Sequence, residues 1–433
     1  MPLLALVLVA VAGSLAAQQP TPRVYRDGRA WVEETEARIV IPDGQQLYLR
    51  SELGSVVVRS GTAGEVRYRI RKRAYRRSEE QARELFRAFT IQVRQTQSEV
   101  HILGERPGRR RRRQFHRFSV EYEVTVPASF HVDLETRGGD IAVEGLVRTL
   151  RAVTAGGNIR TGDMGGKTTV ETLGGDITLG TIAGPLHART AGGDIRVEGV
   201  KGLATLETMG GEIISGNVDG SVHAKTAGGD VQIEGATGDV FAETAGGSIA
   251  VGEAGGRVQA ETAGGSILVE GAGGAVEVHT AGGEIALEQI HASVRAATTA
   301  GNILARILSE GKLVSDCILE TSFGDVRVYL SPALAVTIDA TIEMAVGHKI
   351  RTDFPLKIEG TSREYSFTPG RVRAFGDLNG GGERLKIHTV GGDIVIRKLT
   401  ERMLERLRER KHRRWERRQK RLKRRPPKPD QEP

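Results

Sequence analysis

From Thr136 onward the chain alternates apolar and polar residues with a period of two, broken at regular corners, and the whole pattern returns every 18 residues. In the unit that begins at Thr190 the apolar places are Ile195, Val197, Val200, Ala204 and Leu206, with polar or charged residues between them. Such alternation marks strands with one buried face, because successive side chains of an extended chain point to opposite sides. Glycine recurs at the corners, where the backbone needs positive φ or close approach. Each unit is therefore predicted to be one coil of two short strands.

Ten units follow without insertion or deletion, starting at Thr136, Thr154, Thr172, Thr190, Thr208, Thr226, Thr244, Thr262, Thr280 and Thr298. The fourth place is always Gly, from Gly139 to Gly301, and the sixth is always Ile or Val. A two-strand coil cannot bury its apolar side alone, so neighbouring coils must stack in parallel and in register at about 4.8 Å. The fold class expected is all-β: a single-chain parallel β-solenoid of 18-residue coils, right-handed. Stacking then puts Ile141, Ile159, Ile177, Ile195, Ile213, Val231, Ile249, Ile267 and Ile285 on one inward ladder. The parity of the lead-in "FHVDLET", with Phe130, Val132, Leu134 and Thr136 on one face, points the threonines inward or at a corner. An ice-binding solenoid would instead repeat an outward Thr-x-Thr pair, which this chain lacks.

Outside the repeat the pattern changes. Residues 18–130 suggest strands in "RIVIPDGQQLYLRSELGSVVVRSG", "EVRYRIRKRAY" and "FSVEYEVTV". A single helix is predicted near 78–89: Ser78 and Gln81 form a capping box, and Ala82, Leu85, Phe86 and Phe89 fall at helical spacing. This β-rich region reads as an N-terminal cap whose helix covers an open sheet edge. Regular coils occupy 131–315, and irregular coils fill 316–399, where "ETSFGDVRVYLS" and "ERLKIHTVGGDIVIRKL" resume the motif. Residues 400–433 are a basic tail, helical or disordered. At the other end, residues 1–17 read as a signal peptide: the apolar or small run from Pro2 to Ala17 is shorter than the roughly 20 residues that span a bilayer. No later segment is apolar enough for a transmembrane helix, which places the mature protein in the periplasm or at the cell surface, or secreted.

Composition sharpens this picture at three points. Gly reaches 56 residues while aromatics are 4%, which suits a thin core filled by Val, Ile, Ala and Thr. Cys317 is the only cysteine, so no intramolecular disulfide is available, and its apolar surroundings make it a buried small hydrophobe. Residues 401–425 carry 14 Lys or Arg and four Glu, a net +10 against +8 for the whole chain, so the remainder carries −2. The basic character belongs to the tail. Arg413, Arg414, Arg417, Arg418, Lys420, Arg421, Lys423, Arg424 and Arg425, together with Arg109, Arg110, Arg111, Arg112 and Arg113, are candidates for gripping an anionic lipid or polymer. Specific nucleic-acid readout is not expected, because no aromatics interleave with these cations.

Candidate chemistry elsewhere is sparse. The fifth place holds Asp140, Asn158, Asp176, Asp194, Glu212 and Asp230, then Ser248, Ser266, Glu284 and Asn302. Acceptors directly after Gly-Gly can satisfy free corner N–H groups, a structural corner ladder. A calcium roll would need a GGxGxD pattern with carboxylates on both sides of the ion, and this pattern is missing. No catalytic motif, metal set or cofactor signature is present, and each Gly-Gly opens a strand rather than a helix. At the eighteenth place Glu171, Arg189, Glu207, Lys225 and Glu243 alternate in sign, which sets opposite charges side by side across the stack.

The "GGDI" strand openings, the lead-in "VTVPASFHVDLETRGGDIAVEGL" and the late "GDLNGGGERLKIHTVGGDIVIRK" resemble the bacterial putative-adhesin family of exported β-solenoid proteins, over residues 40 to 399. The resemblance implies the solenoid fold and export but assigns no active-site residue. The long basic tail departs from the family's pattern. The reading that follows is an exported, non-enzymatic scaffold that binds a protein or polysaccharide ligand in the cell envelope. Two alternatives stand beside it: a carbohydrate-active β-helix lyase or hydrolase, and an envelope regulatory protein that binds a protein partner.

Overall fold

The computed structural model describes residues 21–41, 46–106, 115–145, 148–309, 311–360, 370–405 and 409. The signal-peptide segment 1–17, Arg109 to Arg113 and nearly all of the tail lie outside them. The chain divides into two compact units, one reaching Val143 and one starting at Glu144. Both are β-structures, and the long parallel ladders are those of a β-solenoid.

In the first unit the strands are β1 (Arg23–Asp27), β2 (Ala30–Val40), β3 (Gln46–Ser51), β4 (Ser55–Gly61) and β5 (Glu65–Ala74), then helix α1 (Glu79–Ala88), β6 (Thr90–Gln95), β7 (Glu99–Glu105), β8 (Phe118–Pro127), β9 (His131–Thr136) and β10 (Ile141–Glu144). One sheet runs β1, β2, β5, β8, β4, β10, antiparallel as far as β8 and parallel between β8 and β4. The other runs β6, β7, β3, β9, with β3 parallel to both neighbours. The pair β3 and β4 is thus itself a coil, inserted in space between the pair β7 and β8 and the pair β9 and β10.

Helix α1 begins at Ser78, whose hydroxyl accepts the Gln81 N–H at 3.4 Å. It buries Ala82, Leu85 and Phe86, as amphipathic spacing requires. The two sheets of this unit end at β1 and β10 and at β6 and β9, yet the helix packs on β5 and β2, and the Lys72 ammonium donates to the Phe86 carbonyl at 2.9 Å. It therefore covers a sheet face and not the edge expected of it. The reason is the aromatic content of its apolar side: Phe86 and Phe89 join Phe115 and Phe118, with ring centroids 5.2 to 6.4 Å apart, and such bulk needs a broad surface to bury it.

In the second unit each coil stacks on the next with a shift of 18 residues. Ile195 pairs with Ile213, and Ala204 with Val222, in parallel register. The inward ladder from Ile159 to Ile303 has no member more than 1% exposed. Burying each of these side chains is worth about 1.5 to 3 kcal/mol. The stack tolerates a five-residue insertion: Thr298 pairs with Thr321, 23 residues on.

Beyond this point chain order and spatial order part. Strands Arg384–Gly391 and Ile394–Lys398 lie directly on Cys317–Phe323 and Val326–Leu330. The earlier strands Leu334–Ile342 and Ile350–Thr352 then stack on that coil. Two antiparallel strands, Val372–Leu378 and Lys357–Gly360, complete this sheet. The last coil in sequence is consequently an inner coil in space. Leu399 is buried after it, donating its N–H to the Leu330 carbonyl at 2.9 Å, and residues 401–405 turn helical.

Candidate binding surfaces

At each Gly-Gly corner three places act together. The threonine at place one is buried, and its hydroxyl donates to the carbonyl of the place-four glycine in the preceding coil: Thr190 to Gly175 at 2.9 Å, Thr208 to Gly193 at 2.9 Å. The same oxygen accepts the place-four N–H of its own coil, Gly193 to Thr190 at 3.3 Å and Gly211 to Thr208 at 3.2 Å. The glycine is needed for close approach. A Cβ on Gly193 would lie 2.1 Å from the Gly175 carbonyl oxygen, and one on Gly211 2.1 Å from that of Gly193. Neither glycine has positive φ. At place three there is room, since a Cβ on Gly192 meets nothing nearer than 3.6 Å; Ala300 and Phe323 occupy that place in later coils.

The place-five acceptors reach across coils. Asn158 Oδ1 accepts the Asp176 N–H at 2.8 Å, Asp176 that of Asp194 at 3.0 Å, Asp194 that of Glu212 at 2.9 Å and Asp230 that of Ser248 at 2.7 Å. Asp140 belongs to the first unit, where its carbonyl accepts the Val56 N–H at 2.9 Å. Glu212 has a longer arm and meets Arg196 at 3.6 Å. Where chain and space diverge the ladder follows space: Asp393 donates its N–H to Asp325 at 2.9 Å, and Lys349 donates its own to Asp393 at 3.0 Å. These side chains are held by the backbone of the next coil. They do not converge, and among the described residues no group of three or more His, Cys, Asp or Glu is placed to hold a metal ion.

The outward faces are polar and lightly paired. Arg189 meets Glu207 at 3.8 Å and Lys225 meets Glu243 at 2.8 Å, both along the place-eighteen row. His187 and His223 are separated by Thr205, and the His223 ring stacks on Phe241 with centroids 4.5 Å apart. Among the described residues, a dense lattice of charge lies on the outer face of the β2, β5 and β8 sheet. There the column Arg67, Arg69, Arg71 and Arg73 on β5 has its two middle members, Arg69 and Arg71, between glutamates of β2 and β8. Arg69 pairs with Glu36, with Glu34 at 3.2 Å and with Glu123 at 3.5 Å; Arg71 pairs with Glu123 and with Glu121 at 3.5 Å. The hydrogen bond from Arg69 holds the Glu36 carboxyl below its ordinary range. Sequence reading passed over this lattice, because only strand pairing sets its columns side by side; the four alternate arginines in "EVRYRIRKRAY" were the visible signal.

Residues 45–252 match the family model Toastrack DUF4097. This stretch, just under half of the chain, is similar to Toastrack domains. The match begins just before β3, the first strand of the inserted coil, and stops at residue 252, whereas the 18-residue coil pattern continues through Ile303. Among solved structures, a putative cell adhesion protein from Clostridium sporogenes ATCC 15579 aligns over 84% of this chain and 100% of its own, at 10% identity and a TM-score of 0.17. A putative adhesin from Bacteroides fragilis NCTC 9343 aligns over 57% of this chain and 96% of its own, at 16% identity and a TM-score of 0.30. No curated protein matches the chain. Among the described residues no helix is long and apolar enough to cross a membrane.

Proposed function

We propose that the protein is an exported, non-enzymatic scaffold of the cell envelope that presents the outward faces of its solenoid to a protein or polysaccharide ligand. The observation that carries this reading is the use made of its repeated acids. The side chains of Asn158, Asp176, Asp194, Asp230, Asp325 and Asp393 accept backbone N–H groups of the neighbouring coil, which commits them to the fold. General acid and base work needs carboxylates that converge on one substrate atom. A regular ladder disperses them instead and leaves a long repetitive face, the arrangement that extended ligands use in solenoids.

The test is to fractionate cells expressing the tagged protein and to screen the purified protein against envelope polysaccharides, for binding and for turnover. Recovery in the envelope or medium with binding and no cleavage supports the scaffold. Turnover abolished by acid-to-amide changes on one face would defeat it. The basic segment adds an anionic contact on this reading. Deleting residues 401–433 is expected to leave folding intact and to remove binding to heparin or anionic vesicles at low salt; unchanged binding rejects that role.

A further inference from the structure

We infer that the outer face of the first unit carries a binding site for phosphate groups, built from Arg38, Arg67, Thr125 and Arg59. These four residues form one straight row across four strands. Arg38 on β2 is the cross-strand partner of Arg67 on β5, Arg67 of Thr125 on β8, and Thr125 of Arg59 on β4. At a strand spacing of about 4.8 Å the row spans about 14 Å, and Arg67 and Arg59 stand about 10 Å apart with the Thr125 hydroxyl between them.

The row breaks the rule that governs its neighbour. One step along the strands, Glu36, Arg69 and Glu123 alternate in sign and neutralise one another. Arg38 and Arg67 are like charges placed directly opposite, an arrangement that costs stability unless something compensates it. A single carboxylate, Glu65, pairs with both guanidinium groups. Its side chain is 7% exposed, whereas those of Arg38 and Arg67 are 63% and 60% exposed. The two cations are thus anchored from below and present their outer N–H groups to solvent. Above the row lies a shallow cavity of about 510 Å³, lined by Arg38, Arg59, Arg67 and Arg69 against Glu36 and Glu123. Gly61, next outward on β4 after Arg59, leaves room for the Thr125 side chain: a Cβ there would meet Thr125 Cγ2 at 2.3 Å.

Planar guanidinium forks match the oxygen pairs of a phosphate and bind it in bidentate fashion, and a hydroxyl between two such forks supplies a further donor. The site stands independently of the scaffold reading and of the basic tail. Its phosphate is that of a soluble polyphosphate or of a lipid headgroup.

The experiment is hydrogen exchange with mass spectrometry on the full chain, with tripolyphosphate in one arm and phosphatidylglycerol vesicles in the other. Slower exchange is expected in peptides covering residues 36–41, 57–62, 65–69 and 123–126. The double variant Arg59→Gln/Arg67→Gln should abolish that protection and weaken tripolyphosphate binding about tenfold, as the loss of charged hydrogen bonds predicts. Arg59→Lys/Arg67→Lys, which keeps the charge beside Glu65, guards against loss of fold and should retain part of the affinity. Protection in the first arm identifies a soluble ligand, and protection with vesicles alone a headgroup. Unchanged exchange in both arms, or protection that persists in the glutamine variant, overturns the site.

Discussion

The corner geometry makes a sharp prediction for two adjacent glycines. Replacing Gly193 with Ala puts a methyl group 2.1 Å from the Gly175 carbonyl oxygen, where ordinary contact requires at least about 3.4 Å. The coils must part by roughly 1 Å at that corner, since both partners are backbone. Hydrogen bonds that cross it now measure 2.8 to 2.9 Å: Ile177 N–H to the Asp194 carbonyl and the Thr190 hydroxyl to the Gly175 carbonyl. Overpacking of this kind costs about 1 to 3 kcal/mol, and a weakened hydrogen bond adds about 1. The sum, about 2 to 4 kcal/mol, corresponds to exchange of the flanking amides faster by about 30- to 700-fold. Gly192→Ala meets nothing nearer than 3.6 Å, and its smaller unfolded-state entropy should leave stability unchanged or raise it by about 0.4 to 1 kcal/mol. Native-state hydrogen exchange at Ile177, Ile195 and Ile213 is the appropriate readout, because a repeat array need not unfold in one step. Equal effects of the two substitutions would refute the close-approach argument.

Other residues offer independent checks. Thr208→Val keeps the shape but strands the Gly193 carbonyl and the Gly211 N–H; a local loss of about 1 to 3 kcal/mol is expected by the same exchange measurement, and no loss would deny the hydroxyl its bridging role. Asp339 receives two hydrogen bonds of 2.8 Å from Arg373, which hold its carboxyl below the usual carboxylate range. A depressed folded value means that this contribution is complete above the ordinary Asp value and disappears as the pH falls through the folded one. Amides of strands Leu334–Ile342 and Val372–Leu378 should therefore lose protection in acid, and Asp339→Asn should flatten that dependence. Burial pushes the Cys317 thiol up to about 11, so Ellman's reagent at pH 8 should label it only after denaturation; rapid labelling of folded protein would contradict its burial.

How far the sequence could be read is clearest at particular positions. The 18-residue period places Ile195 beside Ile213 because strand pairing at constant spacing forces equal windows into register, and the structure pairs them so. The invariance of Thr190 and Gly193 with their equivalents was visible as well, but its cause was not. Only stacking shows that the glycine is required by the Gly175 carbonyl and not by positive φ. Helix α1 was legible from its cap and spacing, whereas its seat on β5 and β2 depends on where Phe115 and Phe118 arrive from a distant strand.

The chain by itself determined the coil: its length, its two buried edges of Val, Ile and Ala, and the acceptors that follow each glycine. Those properties are local, and every coil repeats them. Tertiary structure decided which coil lies on which. Residues 46–61 insert between later strands and residues 384–398 insert beneath earlier ones, because a parallel ladder accepts any coil with matching corners whatever its distance along the chain. The same pairing assembled Arg38, Arg67, Thr125 and Arg59 into one row from four separate strands. No spacing in the sequence announces that row, since antiparallel and parallel neighbours with unrelated loop lengths bring its members together.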